Sequence, residues 1–258
     1  MECKAYFAIA RINKRDYHSH GAALANAVKF WWTDREKERL NVDAEKYAVH
    51  AAIYFENRSE EMVREGARFS LPKAKRSRDA FFDVIYDGNM GFSTGDEGWW
   101  RKYKSMSIGM HEIKLEPDRV SALHRACVAY SDASPVYDKV SLLLVACPWF
   151  CIRPRLLCCC LLNRPCWCND EIAPSHCAGA AARVIAVAID KRVELSDNSA
   201  VRKALGMGSR YVESFGLEEM RVHLIEIGVL DKRERVFSAP DSSTPLLALA
   251  LGRVDPSS

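Results

Sequence analysis

The sequence predicts an α+β protein, with strands concentrated early in the chain and helices late. Three observations lead to this prediction. Alternating or densely apolar segments rich in β-formers dominate the first part, helical periodicity dominates the last part, and the strict strand–helix alternation of a parallel sheet is absent. The chain has 258 residues, of which 48% are hydrophobic and 28% charged. This composition is typical of a folded globular protein with a substantial core.

Strands are expected where apolar and polar residues alternate or β-formers cluster. Residues 4–11 alternate well enough to form a first strand, and a short strand is expected at 91–94 after an Asp-Gly turn. Residues 47–56, 80–87 and 105–115 are predicted to lie together in a central antiparallel sheet. The helices should pack their apolar faces on this sheet.

Helices are expected where apolar residues recur at helical spacing. An early amphipathic helix is predicted at 21–33, and a later one opens at Pro117, where proline suits the first helical turn. The segments 198–208 and 217–230 are also helical in pattern. We expect a main domain over residues 1–195 and a helical extension with a loose tail over residues 196–258.

Charge and cysteine content limit the classes of function. The net charge is +3, from 37 basic and 34 acidic residues, which is too small to predict a nucleic-acid partner. The first residues lack the apolar core and cleavage site of a signal peptide. A reducing, intracellular setting is therefore expected, with the ten cysteines as thiols or metal ligands and no disulfide framework.

One apolar segment could contact a membrane surface. Residues 140–152 form the longest apolar run, but the run is too short to span a bilayer and is interrupted by Pro148. A buried helix is the expected structure. A weak membrane-surface contact through residues 140–162 is the alternative.

The strongest candidate nucleophile is Cys177, which directly precedes an alanine-rich helical run. Pro174 and Ser175 supply a helix start signal. A thiol in the first helical turn lies near the positive end of the helix dipole, which lowers its pKa and favours the thiolate. The alternative is a buried cysteine that acts as a small hydrophobic residue.

A thiol nucleophile needs a base, and His50 is the candidate because it lies inside the apolar strand 47–56. A charged imidazole would be costly there without a partner. The alternative is a structural histidine. His176 adjoins Cys177, but successive side chains on a helix point about 100° apart, so it is a poor base for its neighbour.

The order of these segments resembles a known superfamily. The circularly permuted NlpC-like papain-fold proteins, which include relatives of lecithin retinol acyltransferase, share a histidine on an early strand and a late cysteine that leads a helix. Uncharacterised members from large DNA viruses are the most similar in pattern. The resemblance covers residues 4–190 and rests on "AYFAIARI", "AVKFWWT", "YAVHAAIYF", "SMSIGMHEIKLEPDRVSALHRAC", "YDKVSLLLVACPWF" and "SHCAGAAARVI".

The resemblance implies a permuted papain-like fold in which Cys177 attacks a carbonyl and His50 accepts its proton. A third polar residue would orient the imidazole, and Ser93 and Thr94 are the candidates. The backbone N–H of Cys177 would bind the oxyanion. The implied activity is a cysteine hydrolase or acyltransferase that acts on an amide, ester or thioester of a peptide or a lipid, without a cofactor, in a host cell or virion.

This chain differs from the viral pattern at two places. The pattern often has an acidic residue two positions after the histidine, where this chain has Ala52. It often continues after the cysteine with serine and glutamate, where this chain has Ala178 and Gly179.

Three other interpretations remain open. Cys168 is a rival nucleophile, although Pro174 would interrupt a helix that began there. The dense cysteines could instead hold zinc as a binding module, with Cys166, Cys168, His176 and Cys177 as ligands. The third interpretation is a papain-like scaffold without activity, used for interaction.

Overall fold

The computed structural model describes residues 2–13, 46–86, 88–95, 107–135, 172, 175–208, 212 and 215–238. The predicted helix at 21–33, the apolar run at 140–152, Cys166 and Cys168 lie outside these residues, and so does the segment 140–162 proposed for membrane contact.

The described residues contain one six-stranded sheet in which every neighbouring pair of strands is antiparallel. The strand order is β4-β3-β2-β1-β5-β6. The strands are β1 (Lys4–Asn13), β2 (Lys46–Glu56), β3 (Ala80–Tyr86), β4 (Asn89–Ser93), β5 (Ser107–Ile113) and β6 (Leu230–Ser238). The α+β class and the antiparallel pairing of the predicted strands are confirmed.

Five α-helices occur in the part of the chain that the structure describes. They are α1 (Glu60–Gly66), α2 (Pro117–Ala133), α3 (Cys177–Ile189), α4 (Asn198–Ala204) and α5 (Leu217–Glu226). Helix α2 begins at Pro117, as predicted, because proline needs no hydrogen-bond acceptor at a helix start. None of the described helices combines the length and apolar character needed to cross a membrane.

The core lies between one face of the sheet and the helices. Phe7, Ile53 and Phe82 project from β1, β2 and β3 into a single apolar cluster with residues of α2 and α3. Helix α3 is buried along most of its length and contributes mainly alanine to this cluster. Small side chains let the helix approach the sheet closely, which brings its first turn near β2.

Strand β6 was not predicted, and it belongs to the segment assigned to a helical extension. It pairs with β5 at the edge of the sheet, so part of that segment is integrated in the sheet. Arg11 on β1 joins this edge to α5. Its guanidinium donates to Glu218 Oε1 at 2.6 Å and to Glu234 Oε1 at 2.5 Å.

A β-bulge interrupts the pairing of β1 with β2 next to His50. Ala10 pairs with His50, but Arg11 pairs with Ala48, so β2 has one extra residue at this point. Ala48 and Ala51 both belong to the core cluster although they are three positions apart. Bulges re-aim side chains, and this one includes the candidate base.

Candidate active site

Cys177 is the first residue of α3, as the helix start signal predicted. The preceding residue, His176, has extended backbone angles and caps the helix, since its Nδ1 accepts a hydrogen bond from the Gly179 N–H at 3.4 Å. The Cys177 side chain is 1% exposed. Backbone N–H groups in the first turn of a helix have no acceptor within the helix, so they place partial positive charge around the sulfur.

His50 lies within hydrogen-bonding reach of Cys177. The imidazole is 3% exposed and projects from β2 at the bulge. The structure therefore brings the predicted nucleophile and the predicted base together from a helix start and a neighbouring strand.

The other side of the imidazole contacts a carboxylate that sequence reasoning missed. His50 Nε2 contacts Asp83 Oδ1 on β3, and Asp83 is 1% exposed. The same oxygen accepts a hydrogen bond from the Val84 N–H at 2.5 Å. A signal was present in the sequence, because a lone carboxylate in the apolar strand "AFFDVIY" needs a polar partner if it is buried.

Strand register explains how β3 supplies this carboxylate. The last pair of β2 with β3 is Ile53 with Phe82, so Asp83 lies one residue beyond it, on the side towards His50. Ala52 is the residue at which the viral pattern often has an acid. In this chain a carboxylate beside the histidine comes from the adjacent strand.

Ser93 and Thr94, the residues predicted to orient the imidazole, are both buried. The Ser93 hydroxyl accepts a hydrogen bond from the Gly95 N–H at 3.3 Å. The Thr94 hydroxyl has no hydrogen-bond partner among the described residues. The Asp83 carboxylate contacts the His50 imidazole, which is the kind of contact for which Ser93 and Thr94 are the sequence-based candidates.

The contacts of His50 reverse the usual effect of burial on an imidazole. Burial alone would lower the pKa of His50, because it disfavours the charged form. Attraction to the Asp83 carboxylate and to Cys177 outweighs burial and raises this pKa to about 10.

The thiol responds in the opposite direction. Burial alone would raise the pKa of Cys177, but attraction to His50 and to the neighbouring His176 imidazole holds it well below its usual value. A low thiol pKa and a high imidazole pKa together describe a thiolate–imidazolium ion pair. A thiolate is the nucleophilic form of cysteine.

Gly179 fits closely under Ser175 at the start of α3. A Cβ atom at Gly179 would lie 1.9 Å from Ser175 Oγ, so any larger residue must displace that side chain. This contact explains why a residue larger than glycine does not fit here, where the viral pattern often has glutamate.

Two of the four ligands in the zinc interpretation, His176 and Cys177, belong to the described residues. Among the described residues, no group of three or more His, Cys, Asp or Glu side chains is arranged to hold a metal ion. Cys3, Cys127 and Cys177 are free thiols. Cys166 and Cys168, which the zinc interpretation requires, lie outside the described residues.

The sequence and the structure were compared with known protein families, curated proteins and solved structures. No protein-family model, curated protein or solved structure matches the chain. The contacts among Cys177, His50 and Asp83 are therefore the basis for a functional assignment.

Proposed function

We propose that this protein is a cysteine-dependent hydrolase or acyltransferase with a permuted papain-like arrangement, in which Cys177, His50 and Asp83 act as nucleophile, base and orienting carboxylate. The observation that carries the proposal is the unbroken chain of contacts from the thiol through the imidazole to the carboxylate. All three side chains are buried, so each needs the others to remain charged.

The first half of the reaction is acyl transfer to sulfur. Because Nε2 of His50 faces Asp83, Nδ1 is the ring nitrogen left to serve the thiol. The Cys177 thiolate attacks the carbonyl carbon, a C–S bond forms, and the carbonyl π electrons move onto oxygen. When the intermediate collapses, the bond to the leaving group breaks, and His50 gives its proton to that group.

The second half releases the acyl group. Neutral His50 removes a proton from water, or from the hydroxyl or amine of an acyl acceptor, as that group attacks the thioester carbon. The C–S bond then breaks and the thiolate is restored beside the imidazolium. Asp83 keeps the ring oriented and stabilises its positive charge in both halves. The acyl donor is an amide, ester or thioester of a peptide or lipid.

The test is covalent acylation by a simple activated ester. Purified protein is mixed with p-nitrophenyl acetate, the burst of p-nitrophenolate is recorded, and the acetylated cysteine is located by peptide mass spectrometry. We expect a burst and an acetyl group on Cys177. The variant Cys177→Ala should lose both, although slow labelling of the other thiols of the chain will remain.

The matched control is Cys127, a second buried thiol on α2. Burial raises its pKa well above the usual value, and no described ionisable group opposes that effect. The variant Cys127→Ala should retain the burst. If Cys177 reacts no faster than Cys127 at neutral pH, the hydrolase proposal fails, and a scaffold without activity is the better interpretation. Zinc bound stoichiometrically and lost in the variants Cys166→Ala and Cys168→Ala would instead favour a metal-binding module.

A further inference from the structure

His176 is a buried imidazole beside the nucleophile that the proposed triad does not use. It is 1% exposed, and its Nδ1 accepts the Gly179 N–H as the cap of α3. A ring nitrogen that accepts a hydrogen bond carries no proton. The proton of the neutral imidazole is therefore on Nε2, which is a hydrogen-bond donor.

In the described structure this nitrogen makes no hydrogen bond of normal geometry, although the imidazole lies near enough to the Cys177 sulfur to stabilise its thiolate. His176 Nε2 is buried and meets no acceptor at hydrogen-bond geometry among the described residues. Buried donors are almost always satisfied, because water cannot compensate for a missing acceptor. An unsatisfied N–H next to a reactive thiolate is most simply explained by an acceptor that arrives with the substrate.

His176 is placed close to the reacting atoms. It immediately precedes Cys177, and its imidazole helps to stabilise the thiolate against the opposing effect of burial. The carbonyl carbon bonds to this sulfur during the reaction, so the carbonyl oxygen must lie within a few bonds of it. The backbone N–H of Cys177, the first residue of the helix, is also without an acceptor in the helix.

We propose that His176 Nε2–H is a second donor of the oxyanion hole, acting together with the backbone N–H of Cys177. This inference depends on the proposed acyl-transfer function. As the C–S bond forms and the carbonyl electrons move onto oxygen, His176 donates a hydrogen bond to that oxygen and keeps its proton. The cap to Gly179 fixes the ring before substrate arrives, and such preorganisation makes a donor effective.

The hydrogen bond that caps the helix also prevents His176 from acting as the base. Nδ1 is occupied by the Gly179 N–H, and Nε2 already carries a proton, so His176 has no free lone pair for the thiol proton. His50 therefore remains the base, and His176 supplies a hydrogen bond only.

The experiment compares two reactions of the same thiol in the full-length protein. Alkylation by iodoacetamide needs only the thiolate, whereas acetylation by p-nitrophenyl acetate also develops an oxyanion. The ratio of the two rates at Cys177, followed by peptide mass spectrometry, cancels any change in the thiol pKa. It therefore isolates the stabilisation of the oxyanion.

Two variants keep the helix cap and remove the imidazole Nε2–H. Aspartate and serine are both strong N-caps, so His176→Asp and His176→Ser should preserve the start of α3, which circular dichroism and thermal unfolding will check. Aspartate has no proton to donate. We expect the acetylation-to-alkylation ratio to fall about 100-fold in His176→Asp. His176→Asn, which caps and also has an N–H donor, should recover part of the loss.

The outcomes separate this inference from the function on which it depends. An unchanged ratio in both His176→Asp and His176→Ser, with Cys177 still acetylated, overturns the role of His176 and leaves the triad intact. Wild-type protein that is alkylated but never acetylated at Cys177 overturns the acyl-transfer proposal, and the role of His176 with it.

Discussion

Two regions of this protein each contain a buried histidine and a buried cysteine, yet their ionisation is opposite. His50 and Cys177 meet between β2 and the start of α3, whereas His124 and Cys127 lie on successive turns of α2 in the apolar core. The pKa of His50 is raised to about 10 by Asp83 and Cys177 in spite of burial, and that of Cys177 is held well below its usual value.

In the second region, around His124 and Cys127, burial is the main influence on both pKa values. Burial, reinforced by the nearby positive charges of Arg58 and Arg125, lowers the pKa of His124 to about 3. The ring is stacked on Phe92 with a centroid distance of 4.9 Å, and neither nitrogen has a hydrogen-bond partner among the described residues. The Glu65 carboxylate, at 3.7 Å from Nδ1, is too distant to bond.

The comparison teaches that burial does not decide whether a thiol is reactive. Both thiols and both imidazoles are shielded from water, so the desolvation cost is common to the two regions. The difference is a carboxylate partner for the histidine and a helix start for the cysteine. Together these convert two costly charges into a stabilised pair.

The largest expected effect comes from replacing His50, with the same kind of replacement at His124 as the control. His50→Gln should lower the acetylation rate at Cys177 about 1000-fold at neutral pH, because it removes the base. It should also raise the apparent thiol pKa toward the value of about 8.5 for free cysteine. The rate of alkylation against pH measures that pKa. His124→Leu should leave both quantities unchanged, and an equal loss in the two variants would show that the contrast between the regions is false.

A smaller loss is expected from Asp83→Asn, which preserves shape but removes the charge. The ring loses its orientation, so the acetylation rate should fall about 100-fold. The imidazolium is present below the pKa of His50 and is lost above it. Since Asp83 raises that pKa, the alkaline limit of the rate profile should move to lower pH in the variant.

The double variant Ala52→Asp/Asp83→Asn tests whether Asp83 acts through its charge or through its contribution to the structure. It places a carboxylate on the same part of the sheet, where the viral pattern often has an acid. Partial recovery of the rate and of the alkaline limit would support an electrostatic role for Asp83. Recovery of thermal stability without recovery of rate would indicate a structural role.

The third prediction concerns acid stability and the second region. The pKa of His124 is depressed to about 3 in the folded state, so unfolding takes up a proton between about pH 6.5 and pH 3. This histidine therefore costs stability as the pH falls through that window. His124→Leu should remove this part of the loss, about 1.4 kcal/mol for each pH unit below 6.5. Urea unfolding at pH 7 and pH 5 measures it, and parallel losses in wild type and variant would contradict the assignment.

The smallest effect is expected at Gly179. Glycine to alanine inside a helix normally adds about 0.5–1 kcal/mol to the free energy of unfolding. Here the new methyl group would meet Ser175 Oγ, so Gly179→Ala should give no gain and should slow acetylation of Cys177. The pair Ser175→Ala/Gly179→Ala should recover the gain. A single variant that is more stable and fully reactive would show that the helix start tolerates the displacement.

The sequence predicted much of the sheet because its inner strands are strongly patterned. Residues 47–56 and 80–87 are dense in apolar β-formers, as strands buried in a core must be, and both became strands of the sheet. Strand β6 was missed because "LDKRERVFS" is mostly charged. Charged side chains are common on edge strands, where they discourage pairing with other chains, and they conceal the strand pattern.

The candidate site was also predicted only in part from the sequence. Cys177 and His50 could be selected by local signals, since a helix start and a polar residue in an apolar strand are visible in a single sequence. The partnership with Asp83 depends on the register of β2 with β3 and on a bulge, and neither can be derived from the residues of one strand.

Because β2 and α3 are far apart along the chain, the reactivity of Cys177 can report the progress of refolding. The ion pair exists only after these two sequence-distant elements have docked, and contacts of high sequence separation are the slow ones to form. In a chain that has collapsed but not docked, Cys177 would react as an ordinary thiol. A short pulse of alkylating reagent at neutral pH, applied at successive times during refolding, would therefore record when β2 and α3 dock. Cys127 would report on protection of the core in the same sample.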